Sequence, residues 1–383
     1  MHLVLARLLA LFDLANSFTI PEVRRDDLLS LGSARFNLID VRSEKYIDRR
    51  GNVESEQSAY STRGWYKCIV GVGNQSFTLQ FDSGSADLWI PEPQTESENP
   101  QASMFYEPNS SARPLTGATW SQLYDGGYEA SGVVYTDTVT FGSLILQNQL
   151  VEVATKTTMI DPVDGIIGLS LGTNGISPPG LPTFLDNIYG VLQEPVFTAK
   201  LTRPTENVGF YTLGFIDADT VGGRLIQWTP VVPTEVGSWA FSSTTANIGG
   251  TVISLPASNI AVADTGTSLI RINDLVINEL YRVLNGSCNT DLTDTPCIFP
   301  ENAEIPSITL YVGDYGVTLS PQDIVWGTAQ GYPGYLIGSV QPRVELASNV
   351  DTFGDVWLNN VYAIFDFTSG NQQFGVVARA PGT

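Results

Sequence analysis

One carboxylate pattern occurs twice in this chain, and it constrains the fold more than any other feature. An alternating, strand-like run over residues 68–81 leads into Asp82-Ser83-Gly84-Ser85, and 182 residues later Ala263 leads into Asp264-Thr265-Gly266-Thr267. A single Asp-Ser-Gly or Asp-Thr-Gly reads as a turn, with the side chains bonding their own backbone and the glycine taking positive φ. Two copies in like hydrophobic settings read instead as the halves of one two-fold site. Two carboxyls within hydrogen-bond distance cannot both ionise cheaply, so one keeps its proton and the other does not, which supplies a general acid and a general base around one water. The glycines let backbone approach a carboxylate closely, and the hydroxyls donate to it without adding charge.

Composition removes the competing chemistries. The only histidine is His2, at the extreme N-terminus, so the body of the chain has no Ser-His-Asp, Cys-His or histidine-metal site. Gly168-Leu169-Ser170-Leu171-Gly172 has the spacing of a nucleophile elbow, but no histidine follows it. Three cysteines cannot make a four-thiolate zinc site, and the expected chemistry calls for no metal or cofactor. Cys288 and Cys297 are spaced to close one short loop in an oxidising compartment. Such a loop contributes roughly 2.5 to 3 kcal/mol on the chain-entropy estimate. Cys68 is expected to be a small buried hydrophobe on the strand before Asp82.

With 383 residues, the chain exceeds one compact core, so two domains plus processing segments are expected. The abundance of Gly (36), Pro (22), Val and Thr favours short strands and turns, and one short helix is expected over residues 273–284. Residues 1–63 hold 9 basic and 9 acidic residues, while 64–383 hold 10 and 31, so the net charge of −21 lies entirely in the later part. A body this acidic repels nucleic acid and anionic membranes, and its self-repulsion falls in acid. Residues 1–17 read as a signal peptide and 18–63 as a charged segment preceding the body. No stretch approaches a membrane span, and no hydrophobic anchor tail closes the chain. Asn74, Asn109 and Asn285 head glycosylation sequons, relevant if the chain is secreted.

Over residues 65–378 the sequence resembles the pepsin-like aspartic proteases, particularly their secreted fungal branch. The resemblance implies an all-β, bilobal pepsin-like fold, with β-barrel-like lobes over 64–204 and 205–383 and the active-site cleft between them. It implies an aspartic endopeptidase that hydrolyses internal peptide bonds at acid pH through Asp82 and Asp264. Ser85 and Thr267 would bond the outer carboxylate oxygens, and Ser83 and Thr265 would interlock the two loops. Trp120-Ser121-Gln122-Leu123-Tyr124-Asp125-Gly126-Gly127-Tyr128 resembles the flap hairpin that covers substrate, with Tyr124 as its tyrosine and Trp89 as the residue that bonds it. The family usually reads Tyr-Gly-Asp-Gly-Ser there, so Asp125 and Gly126 are interchanged and Tyr128 replaces a serine.

Ile166 falls where the family lines an apolar pocket, and residues 164–169 resemble the strand beneath the first aspartate, with 352–357 as its counterpart. Residues 65–81 resemble the first strand pair, with Gly71-Val72-Gly73 as its hairpin, followed by an exposed connection over 92–111. Ile20-Pro21-Glu22-Val23-Arg24 resembles the start of a prosegment, Lys45-Tyr46 the pair that plugs the active site, and Arg49-Arg50 a processing site. The resemblance also implies inhibition by pepstatin, protein or peptide substrates, a monomer, and an extracellular or acidic-vacuole location. The alternative is a catalytically silent pepsin-fold protein that binds or inhibits partners.

Overall fold

The computed structural model describes residues 66–379 apart from 98–101, 103, 143, 160–163, 204–208, 289–290, 293–294 and 344–349, together with the backbone of four short strands before residue 56. Residues 1–17, Arg49-Arg50 and the side chains of Lys45 and Tyr46 lie outside the described residues.

In the first half, the alternation of residues 68–81 becomes the antiparallel pair Tyr66–Val72 and Gln75–Asp82. Cys68, Val70, Val72, Phe77, Leu79 and Phe81 are buried, whereas Ile69 points outward. The hairpin lies further along than expected. Gly71 and Val72 remain in the ladder, and the two-residue turn is Gly73-Asn74. Gly73 has φ 60°, a conformation the buried, β-branched Val72 would adopt only under strain.

Tyr66–Val72, Gln75–Asp82, Ile166–Gly168, Leu88–Ser97, Leu144–Thr157 and Glu129–Phe141 are hydrogen-bonded in that order, and the last returns to the first, so the ring has no open edge. The connection expected to be exposed over 92–111 is less so. Its strand runs on to Ser97, and Tyr106 is fully buried with its hydroxyl donating to Asp137 at 2.8 Å.

The second half is built from sheets of five, four and three strands. Its five-stranded sheet carries Ile260–Ala263 beside Val350–Phe353 in parallel, as Gln75–Asp82 lies beside Ile166–Gly168 in the first half. The expected helix forms over Asp274–Val283. Asn273 caps it by accepting from the Leu275 N–H, and Val276, Ile277, Leu280 and Tyr281 bury one face. Cys288 and Cys297 are disulfide-bonded, and Cys68 is a buried free thiol.

A six-stranded sheet joins the halves, in the order Ala34–Asn37, Phe210–Leu213, Val196–Lys200, Val361–Asp366, Gln373–Ala378 and Gln227–Pro230. Phe197 stacks on Phe365 at 4.3 Å within it. The expected lobe boundary at 204/205 falls in 204–208, outside the described residues. Backbone from the N-terminal segment reaches both halves, since Ala34–Asn37 pairs with Phe210–Leu213 and Ile39–Asp40 pairs with Tyr66 and Lys67. Among the described residues no helix is long and apolar enough to cross a membrane.

Arg203, just before that boundary, clamps the second half to the first. Its guanidinium donates to Asp323, Ser320 and Asn360, at 2.9 Å from Nη2 in each case, and Arg203 and Asp323 are both buried. Arg203→Met would strand a buried carboxylate among polar groups arranged for a cation. The expected loss is about 3 to 5 kcal/mol, read as a lower urea midpoint near pH 5. An unchanged midpoint would show that this ion pair contributes nothing to holding the halves together.

Candidate active site

Both aspartates sit at strand ends that a crossing strand holds in place. Gly168 is in register with Asp82, and the N–H groups of Leu169 and Ser170 donate to the carbonyls of Asp82 and Ser85, both at 2.8 Å. Across the site, Phe353 is in register with Ala263, and the Asp355 N–H donates to the Thr267 carbonyl at 2.8 Å. These crossings are tight enough to require glycine. A Cβ on Gly168 would lie 2.4 Å from the Ala86 carbonyl carbon, and one on Gly354 would lie 2.2 Å from the Thr267 oxygen.

Each carboxylate is held by its own loop. Oδ1 of Asp82 accepts from the Gly84 N–H at 2.8 Å and Oδ2 from the Ser85 hydroxyl at 2.5 Å. Asp264 repeats this with the Gly266 N–H at 2.8 Å and the Thr267 hydroxyl at 2.6 Å. Ser83 and Thr265 lock the loops together. The Ser83 hydroxyl donates to the Ala263 carbonyl at 2.8 Å and accepts from the Thr265 N–H at 2.9 Å. Reciprocally, the Thr265 hydroxyl donates to the Phe81 carbonyl at 2.6 Å and accepts from the Ser83 N–H at 3.0 Å.

The two-fold arrangement brings the carboxyls face to face. A Cβ on Gly266 would lie 2.2 Å from Oδ1 of Asp82, and one on Gly84 would lie 2.6 Å from Oδ1 of Asp264. Two carboxyls this close cannot both ionise cheaply. Burial pushes both carboxyls above their ordinary range. For Asp264 the charge of Asp82 adds to the rise, while for Asp82 the bonds from Ser85 and Gly84 oppose it.

Over the same side, Arg113–Leu123 and Glu129–Phe141 form a hairpin whose tip, Tyr124 to Tyr128, includes Gly126 and Gly127 at φ 84° and 81°. The Trp89 indole N–H donates to the Tyr124 hydroxyl at 2.7 Å. Burial, then the charges of Asp87 and Asp82, hold the Tyr124 phenol well above its usual range. Ile166, only 2% exposed, joins Trp89, Trp120 and Tyr124 in one apolar cluster beneath the hairpin. The side chain of Asp125 lies outside the described residues.

A family model described as eukaryotic aspartyl protease matches residues 65–378. The chain belongs to this family. This aspartyl protease is 34% identical over 320 residues to aspergillopepsin-1 of Aspergillus pseudoglaucus, covering 82% of this chain and 79% of that one. It is 31% identical over 321 residues to penicillopepsin-3 of Penicillium janthinellum, again covering 82% and 79%. The crystal structure of an aspartic proteinase from Irpex lacteus shares the fold, with a TM-score of 0.70 over 91% of this chain and 98% of that one, at 20% identity. The expected all-β, bilobal pepsin-like fold is therefore the fold of this aspartyl protease.

Two acidic residues of this neighbourhood escaped the sequence reading. Asp87 and Glu152 are buried beside Trp89 and the Tyr124 hairpin, and their charges act on the Tyr124 phenol. Asp87 lies two residues past the first motif, where a polar residue between Ala86 and Leu88 was its only signal. Nothing in the local pattern around Glu152 marks it.

Proposed function

We propose that this aspartyl protease hydrolyses internal peptide bonds of proteins at acid pH, with Asp82 and Asp264 acting as one catalytic unit. The observation that carries the reading is the reciprocal approach of the two loops, in which each glycine makes room for the carboxyl of the opposite aspartate. The ionised carboxyl removes a proton from a water whose oxygen attacks the scissile carbonyl carbon, while the protonated carboxyl gives its proton to the carbonyl oxygen. When the tetrahedral intermediate collapses, the C–N bond breaks, the departing nitrogen takes up a proton from the pair, and an acid and an amine remain. No covalent intermediate forms on the protein. Ser85 and Thr267 orient the carboxyls, and Tyr124, steadied by Trp89, closes over the substrate and keeps out bulk water.

In the same proposal, lobes 64–204 and 205–383 flank the cleft, and the chain is secreted as a monomer behind a signal peptide (1–17) and a removable prosegment (18–63). The disulfide and the acidic body fit an oxidising, acidic setting. The test is secreted, processed protein incubated with denatured haemoglobin or casein at about pH 4, counting new amino termini. Cleavage that pepstatin abolishes and chelators do not is the expected result. No cleavage by processed protein, or full activity under saturating pepstatin, would overturn the proposal.

A further inference from the structure

Behind the Trp89–Tyr124 contact lie two carboxyls that the proposed chemistry does not use. Asp87 is 1% exposed and Glu152 2%. Leu144–Thr157 runs parallel to Leu88–Ser97 with Glu152 in register with Trp89, two residues after Asp87, and the charge of Asp87 acts on the Glu152 carboxyl. Asp87 uses one oxygen, Oδ1, which accepts from the Gly175 N–H at 2.7 Å. Its Oδ2 and the Oε2 of Glu152 are buried without a hydrogen-bond partner. Among the described residues neither carboxyl has an ion-pair partner, and the charges of both act on the Tyr124 phenol at the hairpin tip. Two ionised carboxylates buried together without a cation are far more costly than one, and an orphaned buried oxygen carries its full desolvation penalty.

We propose that Asp87 and Glu152 share a proton, forming a second carboxyl pair that braces Trp89 and thereby Tyr124, and that losing this proton toward neutral pH loosens the substrate cover. One proton between the two orphaned oxygens satisfies both, with one carboxyl donating and the other accepting. The directions of ionisation agree. Burial pushes Asp87 up to about 6 and Glu152 well above its ordinary range, the latter further raised by the charge of Asp87. When base removes the proton, two like charges face each other beside Trp89. The strand carrying Glu152 must then shift or admit water, and the indole that holds Tyr124 moves with it. These are positioning residues, distinct from the pair at Asp82 and Asp264.

The effect on turnover rests on the proposed role of Tyr124 as substrate cover, but the shared proton is read from stability alone, so the two ideas fail separately. Asp87→Asn/Glu152→Gln keeps the shapes, can form one amide–carbonyl bond, and cannot titrate. In the processed enzyme, the fall in urea midpoint between about pH 4.5 and pH 7 is expected to shrink in this variant to about half that of the wild type. Its KM should stay flat over the part of that range where wild-type KM rises, while kcat declines alike in both as the catalytic pair loses its proton. Should the double variant fail to fold, Glu152→Gln alone supports the same comparison. Superimposable pH profiles of midpoint for wild type and variant would overturn the shared proton. A smaller midpoint shift with unchanged KM behaviour would overturn the link to the substrate cover.

Discussion

Asp82→Asn and Asp264→Asn are each expected to reduce peptide hydrolysis by about a thousandfold or more while leaving the fold intact. The pair works because one carboxyl is ionised when the other is not, and an amide can do neither job. Activity therefore should not split evenly between the two positions, and the double variant should be little worse than either single one. Folding survives because the surroundings suit an amide of the same shape. The Gly84 N–H still finds an acceptor, and the Ser85 hydroxyl, which now donates to Oδ2, can turn to accept from an amide N–H. Thr267 and Gly266 offer the same to an amide in place of the Asp264 carboxyl. The check is kcat/KM on a peptide substrate alongside a urea melt of the same sample. Turnover within tenfold of wild type in a contaminant-free preparation of either variant would remove these residues from the mechanism.

Stability is expected to fall as pH rises from about 4 toward 7, and the sign follows from the direction of the shifts. Asp82, Asp87, Glu152, Asp264 and Asp351 all have carboxyls raised above their ordinary range, with burial the first cause in each. The folded protein holds these protons more tightly than the unfolded chain does. Their contribution is complete below the unfolded value, near 3.8 for aspartate, and is lost as pH climbs through each folded value. Asp87 alone, raised from 3.8 to about 6, corresponds to about 3 kcal/mol across that window. Glu279 and Asp291 are lowered and so act in the opposite sense, below their ordinary values, but they are solvent-exposed and screened. Asp264→Asn should therefore flatten the alkaline side of the profile while abolishing activity. Urea melts of processed protein across this range test it, and a midpoint that stays level or rises above pH 6 contradicts it.

The sequence determined the site through patterns that are local and duplicated. Asp82 and Asp264 were legible because each carries its hydroxyl and glycine partners within three residues, and the bonds from Gly84, Ser85, Gly266 and Thr267 are made inside those same loops. The helix was legible from its apolar spacing, and Val276, Ile277, Leu280 and Tyr281 bury the face that spacing marks. Trp89 and Tyr124 were found only through the family resemblance, because 35 residues separate the two ends of their hydrogen bond.

What tertiary structure alone decided are the contacts set by strand register and by the meeting of distant segments. Tyr106 lies in a connection rich in Glu, Pro and Ser, yet it is buried because Asp137, 31 residues on, offers its hydroxyl an acceptor. Arg203 and Asp323 lie 120 residues apart, and neither neighbourhood reveals that its charge will be buried against the other. Glu152 belongs to the same class. It lies among ordinary strand residues, and only the parallel register that sets it opposite Trp89 takes its carboxyl out of water and brings it to Asp87. Local sequence encodes which partners a residue can reach within a turn or a strand, whereas desolvation depends on what the rest of the chain places around it.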